Sequence, residues 1–154
     1  LIIGGLKARL KAAGPTAQDQ LVAAIHSQGA IAADRSKYLI LFTTALVEFS
    51  GTDDPIEHRL RQIYSRLTDT LEAVVVHGQK TGEFSAEVRA RELAAIVLAL
   101  EHGTLLEWYF RSEELDGAEL VRAARTILLR GLTRSETAPQ KKRSRTSKTS
   151  KRES

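Results

Sequence analysis

The stretch from Glu92 to Arg111, ELAAIVLALEHGTLLEWYFR, constrains the fold more than any other part of the chain. Leu, Ala and Glu dominate it and proline is absent, which favours a helix. A surface helix carries one apolar stripe and one polar face, whereas this one is apolar on almost every side and so needs cover on almost every side. With about 100° between successive residues, Ala95, Ala99 and Gly103 fall on one line, and such small residues let a second backbone come close. Val97, Glu101, Thr104 and Trp108 lie on the opposite side. The reading is that one face packs on its own domain and the other on a second copy of the chain. The competing reading is a single core helix buried within a monomer. A membrane span is disfavoured, because Glu101, His102 and Glu107 interrupt the stretch. Its longest apolar run, Leu93 to Leu100, falls far short of the roughly 20 residues a span needs.

At 154 residues the chain is long enough for one domain with a real core. It has no cysteine, which removes disulfides and thiolate metal sites and suits a reducing cytoplasm. No signal peptide is legible, since Leu1 to Leu10 is short and carries Lys7 and Arg9. The formal charge of +4 is unevenly spread. From Thr133 onward there are eight basic residues and two acidic ones, which leaves 15 of the 23 basic and 17 of the 19 acidic residues in the body. A mildly acidic body argues against a surface built for nucleic acid.

Read in order, Ile2 to Ala13 is a short helix closed by Gly14-Pro15. Thr16 caps a second helix running to about Ala33, with Asp19 in its first turn. Ser36 caps a third, Lys37 to Phe49, which places Tyr38, Phe42, Ala45 and Phe49 on one side. Its YLILFTT run has strand propensity, but the length of the segment favours a helix. Asp54-Pro55-Ile56-Glu57 is the clearest start signal: Asp54 as N-cap, Pro55 at the first helical position, and Glu57 completing a capping-box-like pair. That fourth helix reaches about Lys80, and Gly82 ends it in a left-handed conformation with Phe84 folded back on it. The central helix follows. The last one, Ala118 to Leu132, is sharply amphipathic, with Leu129 standing among its charges. The expectation is therefore an all-α bundle of about six helices, with residues 1–132 as the domain and 133–154 as a disordered basic tail.

Catalytic chemistry is not legible. His26, His58, His77 and His102 form no HExxH or i, i+4 pair, so no metal site is expected. There is no GxSxG, P-loop or GxGxxG, hence no expected enzyme activity and no expected cofactor. Binding fits better. Tyr38, Phe42, Phe49 and Tyr64 supply aromatic walls, and Glu101, Thr104 and Trp108 supply a few polar groups from the most apolar helix. Small-molecule pockets are built in this way, although the same side chains also suit a plain core. The tail carries Lys141, Lys142, Arg143 and Arg145, which suit phosphate, but no aromatic residue to stack on bases.

The runs HGQKTGEFS (His77 to Ser85), ELAAIVLALEHGTLLEWYF and LDGAELVRAARTILLRGL together resemble the C-terminal domain of TetR-family transcriptional regulators. The matching features are Gly78-Gln79, Gly82-Glu83-Phe84, His102-Gly103, Trp108 and Leu129-Arg130-Gly131-Leu132. The resemblance spans roughly Leu1 to Leu132 and implies an all-helical, dimeric, effector-sensing domain. It implies a homodimer whose last two helices pair as a four-helix bundle, and a small apolar or amphipathic effector among the preceding helices. The interface residues expected are Ala95, Ala99, Gly103, Ile127, Leu128 and Leu132. The function implied is that of a cytoplasmic regulator, of repressor type, whose effector alters operator affinity. Operator DNA would be read by an N-terminal helix-turn-helix, and no such segment precedes Leu1, so residues 1 to 154 alone are expected not to read a DNA sequence. A helical dimerisation or adaptor module without a ligand is the alternative.

Overall fold

Capping chemistry places the helix starts. A computed structural model describes the backbone of residues 2–133, and the side chains of these apart from residues 2, 28–36 and 39. Among the described residues there are five helices: α1 (Ile2–Ala12), α2 (Ala17–Glu48), α3 (Pro55–Thr81), α4 (Ala90–Phe110) and α5 (Gly117–Leu132). No strand occurs among the described residues, so the all-α class is as the sequence implies. Of the expected tail, residues 133–154, all but Thr133 lies outside the described residues, as does Leu1.

Thr16 caps α2 as expected: its Oγ1 accepts the Asp19 amide at 3.0 Å and its hydroxyl donates to Asp19 Oδ2 at 2.6 Å. Asp54 caps α3 by accepting the Ile56 amide at 2.7 Å, with Pro55 at the first position. Asp116 does the same for α5 through the Glu119 amide at 2.9 Å. One boundary differs from expectation. The two helices expected on either side of Ser36 run as one, α2, 32 residues long. Between Ala33 and Lys37 the chain reads Ala-Asp-Arg-Ser-Lys, with neither Gly nor Pro. A serine there permits a cap but does not compel one, so nothing stops the helix.

Glu57 also differs in its partners. Its carboxylate does not close a box on Asp54. It reaches further back, accepting the Gly51 amide at 2.9 Å and the Asp53 amide at 2.8 Å. Arg61 Nε donates to the same carboxylate at 2.6 Å. The α2–α3 turn, with Gly51 at φ 79° and Asp53 at φ 56°, is held around this side chain. These bonds, led by that from the Gly51 amide, lower the Glu57 pKa from 4.5 to about 2. A lowered folded-state pKa contributes stability that is present above the unfolded value and lost as pH falls through the folded one. Glu57→Gln should therefore lower the urea midpoint at pH 7, and the gap from wild type should close between about pH 4.5 and pH 2. A gap independent of pH would show that the charge has no part in holding the turn.

The core lies at one end of the bundle. Leu6 and Leu10 of α1 meet Leu21, Ala24 and Ile25 of α2, Leu67, Leu71, Val74 and Val75 of α3, and Ala94, Val97 and Leu98 of α4. Phe84 from the α3–α4 turn and Leu128 and Leu132 of α5 complete it. Gly82 ends α3 at φ 80°, the left-handed cap that glycine tolerates best. This lets Phe84 fold back until it is 1 % exposed.

The same turn ties three junctions together. His77 Nε2 donates to the Pro15 carbonyl at 3.1 Å. The Glu83 carboxylate accepts the Ala17 and Gln18 amides at 3.2 and 3.0 Å, closing the start of α2 from across the fold. These bonds, led by that from Gln18 and joined by one from Thr81, lower the Glu83 pKa. The Ser85 amide donates to the Leu132 carbonyl at 2.8 Å, which fixes the end of α5 at the same place.

Candidate functional site

Helix α4 runs antiparallel to α3, since Arg91 bonds both Asp69 and Glu72 while His102, a few turns later, faces the earlier Tyr64. The Arg91 pKa is raised, first by Asp69 and then by Glu72. Arg91 and Asp69 are exposed and Glu72 is half-buried, and pairs open to solvent in this way stabilise little.

The two sides read for α4 are present. Ala94, Val97, Leu98 and Leu105 are buried on the inward side. Glu101, Thr104 and Trp108 are half-buried. Tyr64 is half-buried against the core, its ring centroid 5.8 Å from that of His102. His102 Nδ1 lies 2.7 Å from the Leu98 carbonyl. A carbonyl only accepts, so Nδ1 carries the proton in this arrangement. Trp108 points to the start of α5: a Cβ at Gly117 would stand 3.0 Å from its Nε1, so the indole occupies the space that a larger residue there would need.

The aromatic side of α2 is partly formed. Phe42 and Phe49 are half-buried. Tyr38 departs from the expectation of a lining residue, because it is 72 % exposed. Beyond Ile25 the described part of α2 adds no residue to the core cluster, and Tyr38 is not among the residues packed against it.

On the outward side of α4, Ala95 and Ala99 are exposed and a Cβ added at Gly103 would meet nothing within 4 Å. Ile96 and Phe110 join them, 60 % and 76 % exposed. On α5, Ile127 is 65 % exposed. Leu128 and Leu132, expected at a dimer interface, are instead buried in the protomer's own core. Their direction on α5 is about 100–140° away from Ile127, so they cannot share its outward face. By length and composition α4 is the one described helix apolar enough to cross a membrane. Its apolar character is accounted for by an inward face against the core and an outward stripe.

A groove lies between α2 and α5, apart from the aromatic side chains expected to bind a ligand. Gln18, Val22, Arg125, Thr126, Leu129 and Arg130 line it, and its volume is about 420 Å³. The only sequence signal for it is Leu129 among the charges of α5, which here lies half-buried at the groove and against the core. Among the described residues no group of three or more His, Asp or Glu side chains is arranged to hold a metal ion.

No curated protein matches the chain significantly. The fold is similar to the crystal structure of the MbdR regulator from Azoarcus sp. CIB, with 37% sequence identity and a TM-score of 0.75. That match covers 82% of this chain and 67% of the other. The family described as tetracyclin repressor-like, C-terminal domain, matches residues 41–127. With a match over more than half its length and a regulator of that similarity beside it, the chain belongs to the tetracyclin repressor-like (TetR) family of transcriptional regulators.

Proposed function

We propose that residues 1–132 are the effector-sensing and dimerising domain of a cytoplasmic TetR-like repressor, followed by a basic tail over 133–154. A small apolar or amphipathic effector binds among α2, α3 and α4, against Phe42, Phe49 and Tyr64, with Glu101 and Thr104 as polar groups and Trp108 closing the α5 end. Tyr38 stays outside this site or at its mouth. Binding alters the affinity of an N-terminal operator-reading segment. The protein is not an enzyme and acts as a homodimer.

The observation that carries this reading is the division of α4, with half-buried Glu101, Thr104 and Trp108 on the side of the buried Val97 and exposed Ala95 and Ala99 on the other. On this reading one helix faces both a site and a partner. Few polar groups among aromatic walls suit a small apolar ligand. A thermal-shift screen of apolar and amphipathic compounds should yield stabilisers, since a ligand at 100 times its dissociation constant adds about 2.7 kcal/mol. Phe42→Ser should reduce the shift several-fold. A screen without stabilisers, in a protein that still dimerises, would favour the adaptor reading, for which the exposed α4 stripe is sufficient in itself.

A further inference from the structure

We propose that the groove between the start of α2 and the outer flank of α5 binds a small amphipathic carboxylate, at a site separate from the aromatic cluster of α2, α3 and α4. This does not rest on the effector reading above.

The charges of the groove are one-sided. Its lining contains Arg125 and Arg130 and no acidic residue. Elsewhere on α4, α5 and their ends every described arginine meets a carboxylate: Arg89 with Glu92, Arg91 with Asp69 and Glu72, Arg111 with Glu107, and Arg122 with Glu119. Arg125 and Arg130 have no carboxylate partner among the described residues. Among the described residues the one polar contact of the Arg125 side chain is with His26, whose Nε2 lies 3.5 Å from its Nη1. A guanidinium can only donate, so the imidazole nitrogen is the acceptor of this contact. Half-buried Arg125 therefore rests against an imidazole and not a carboxylate, at the limit of hydrogen-bond distance.

The neighbouring acids are engaged elsewhere. Glu83 closes the start of α2 on the Ala17 and Gln18 amides, and Glu119 holds Arg122. Two guanidinium groups, with the Gln18 side chain beside them, thus offer donors in fork geometry, the arrangement that suits a carboxylate. Phosphate shares that chemistry. The apolar part of the lining favours a carboxylate with a hydrocarbon body, because half-buried Val22 and Leu129 stand among the cationic groups. A volume of about 420 Å³ lies in the lower range for small-molecule sites. Arg125 and Leu129 point roughly opposite to Ile127 around α5, and Arg130 about 60° from it, so pairing through Ile127 would leave the Arg125 and Leu129 side of the groove open and bring Arg130 to the rim of the interface.

The test uses the full chain and titration calorimetry with octanoate, octan-1-ol and inorganic phosphate. Octanoate should bind once per chain, and at least ten-fold more tightly than phosphate. Arg125→Gln with Arg130→Gln should weaken octanoate at least ten-fold without changing the response to octan-1-ol. Arg130→Gln alone, at an exposed position, should keep the fold and weaken octanoate three-fold or more. Phe42→Ser should leave octanoate affinity unchanged, which separates this groove from the aromatic cluster. No octanoate binding at millimolar concentration, or affinity indifferent to the arginine variants, would overturn the proposal. Phosphate binding as tightly as octanoate would overturn the assignment of an amphipathic ligand. A loss with Phe42→Ser alone would place octanoate in the other site and also overturn it.

Discussion

Light scattering across a dilution series should find a homodimer at low micromolar concentration, and Ala99→Trp should leave a monomer. Ala95, Leu106, Ala99, Phe110, Gly103 and Ile96 fall within about 100° of one another around α4. Ala95, Ala99, Ile96 and Phe110 are exposed in the protomer, and Gly103 has open space beside it. On α5, Leu120, Ala123, Ile127 and Gly131 form a second stripe at spacings of three and four, with Ile127 65 % exposed. Pairing α4 and α5 across a two-fold axis covers both stripes in one four-helix arrangement. An obligate interface of this kind buries about 2,000 Å² or more in total. A tryptophan at position 99 would hold the partner backbone away from the small residues on either side. The expected loss is at least about 100-fold in dimer affinity, or roughly 2.7 kcal/mol. A wild-type chain that stays monomeric at high micromolar concentration defeats the dimer. A mutant that dimerises normally defeats only this choice of stripe.

Phe84→Ala should lower the unfolding free energy by about 3–5 kcal/mol, the usual cost of deleting a large buried aromatic ring. Phe84 is among the largest fully buried side chains and packs directly on Gly78 of α3. A Cβ at Gly78 would stand 2.6 Å from Phe84 Cε2 and 2.8 Å from Cγ, closer than atoms tolerate. The ring is enclosed, so it cannot swing clear as the end of an exposed side chain would. Gly78→Ala should therefore destabilise by about 1–3 kcal/mol or more through overpacking, although alanine is the better helix former. Urea titrations at neutral pH measure both. A loss below about 1 kcal/mol for Phe84→Ala would mean that the ring does not anchor this turn.

What the sequence made legible is local chemistry. Thr16 and Asp54 as caps, Gly82 as the left-handed stop and Phe84 folded onto α3 are all found where their residue types imply. The two sides of α4 were legible for the same reason, because helical phase follows from spacing alone. The continuity of α2 was not, since a serine in mid-helix and a serine at a cap look alike in sequence. Nor were the partners of Glu57 and Glu83, because a carboxylate that reaches back six residues, or 66, leaves no periodic trace. Arg125, Arg130 and His26 carry no sequence signal of a shared site, because charges on an amphipathic helix read as a solvated face, and only the path of α2 past α5 brings them together. Ile127 and Leu128 are neighbours in sequence, yet one faces out and the other in, a distinction that needs the direction of the core.

The ties from His77 and Glu83 hold α2 by its first turn, and its 32 residues make a rod of about 48 Å. Such a rod is a lever with very unequal arms. A shift of about 3 Å at its far end, near Phe49, turns it by only about 4° at the corner held by Glu83, given the 1.5 Å rise per residue. The same few degrees imposed at the corner, where α1 joins, sweep the far end through several ångströms. Motion is therefore geared down from tip to corner and geared up from corner to tip, so Ala17, Gln18 and Glu83 stand at the high-gain end of the helix.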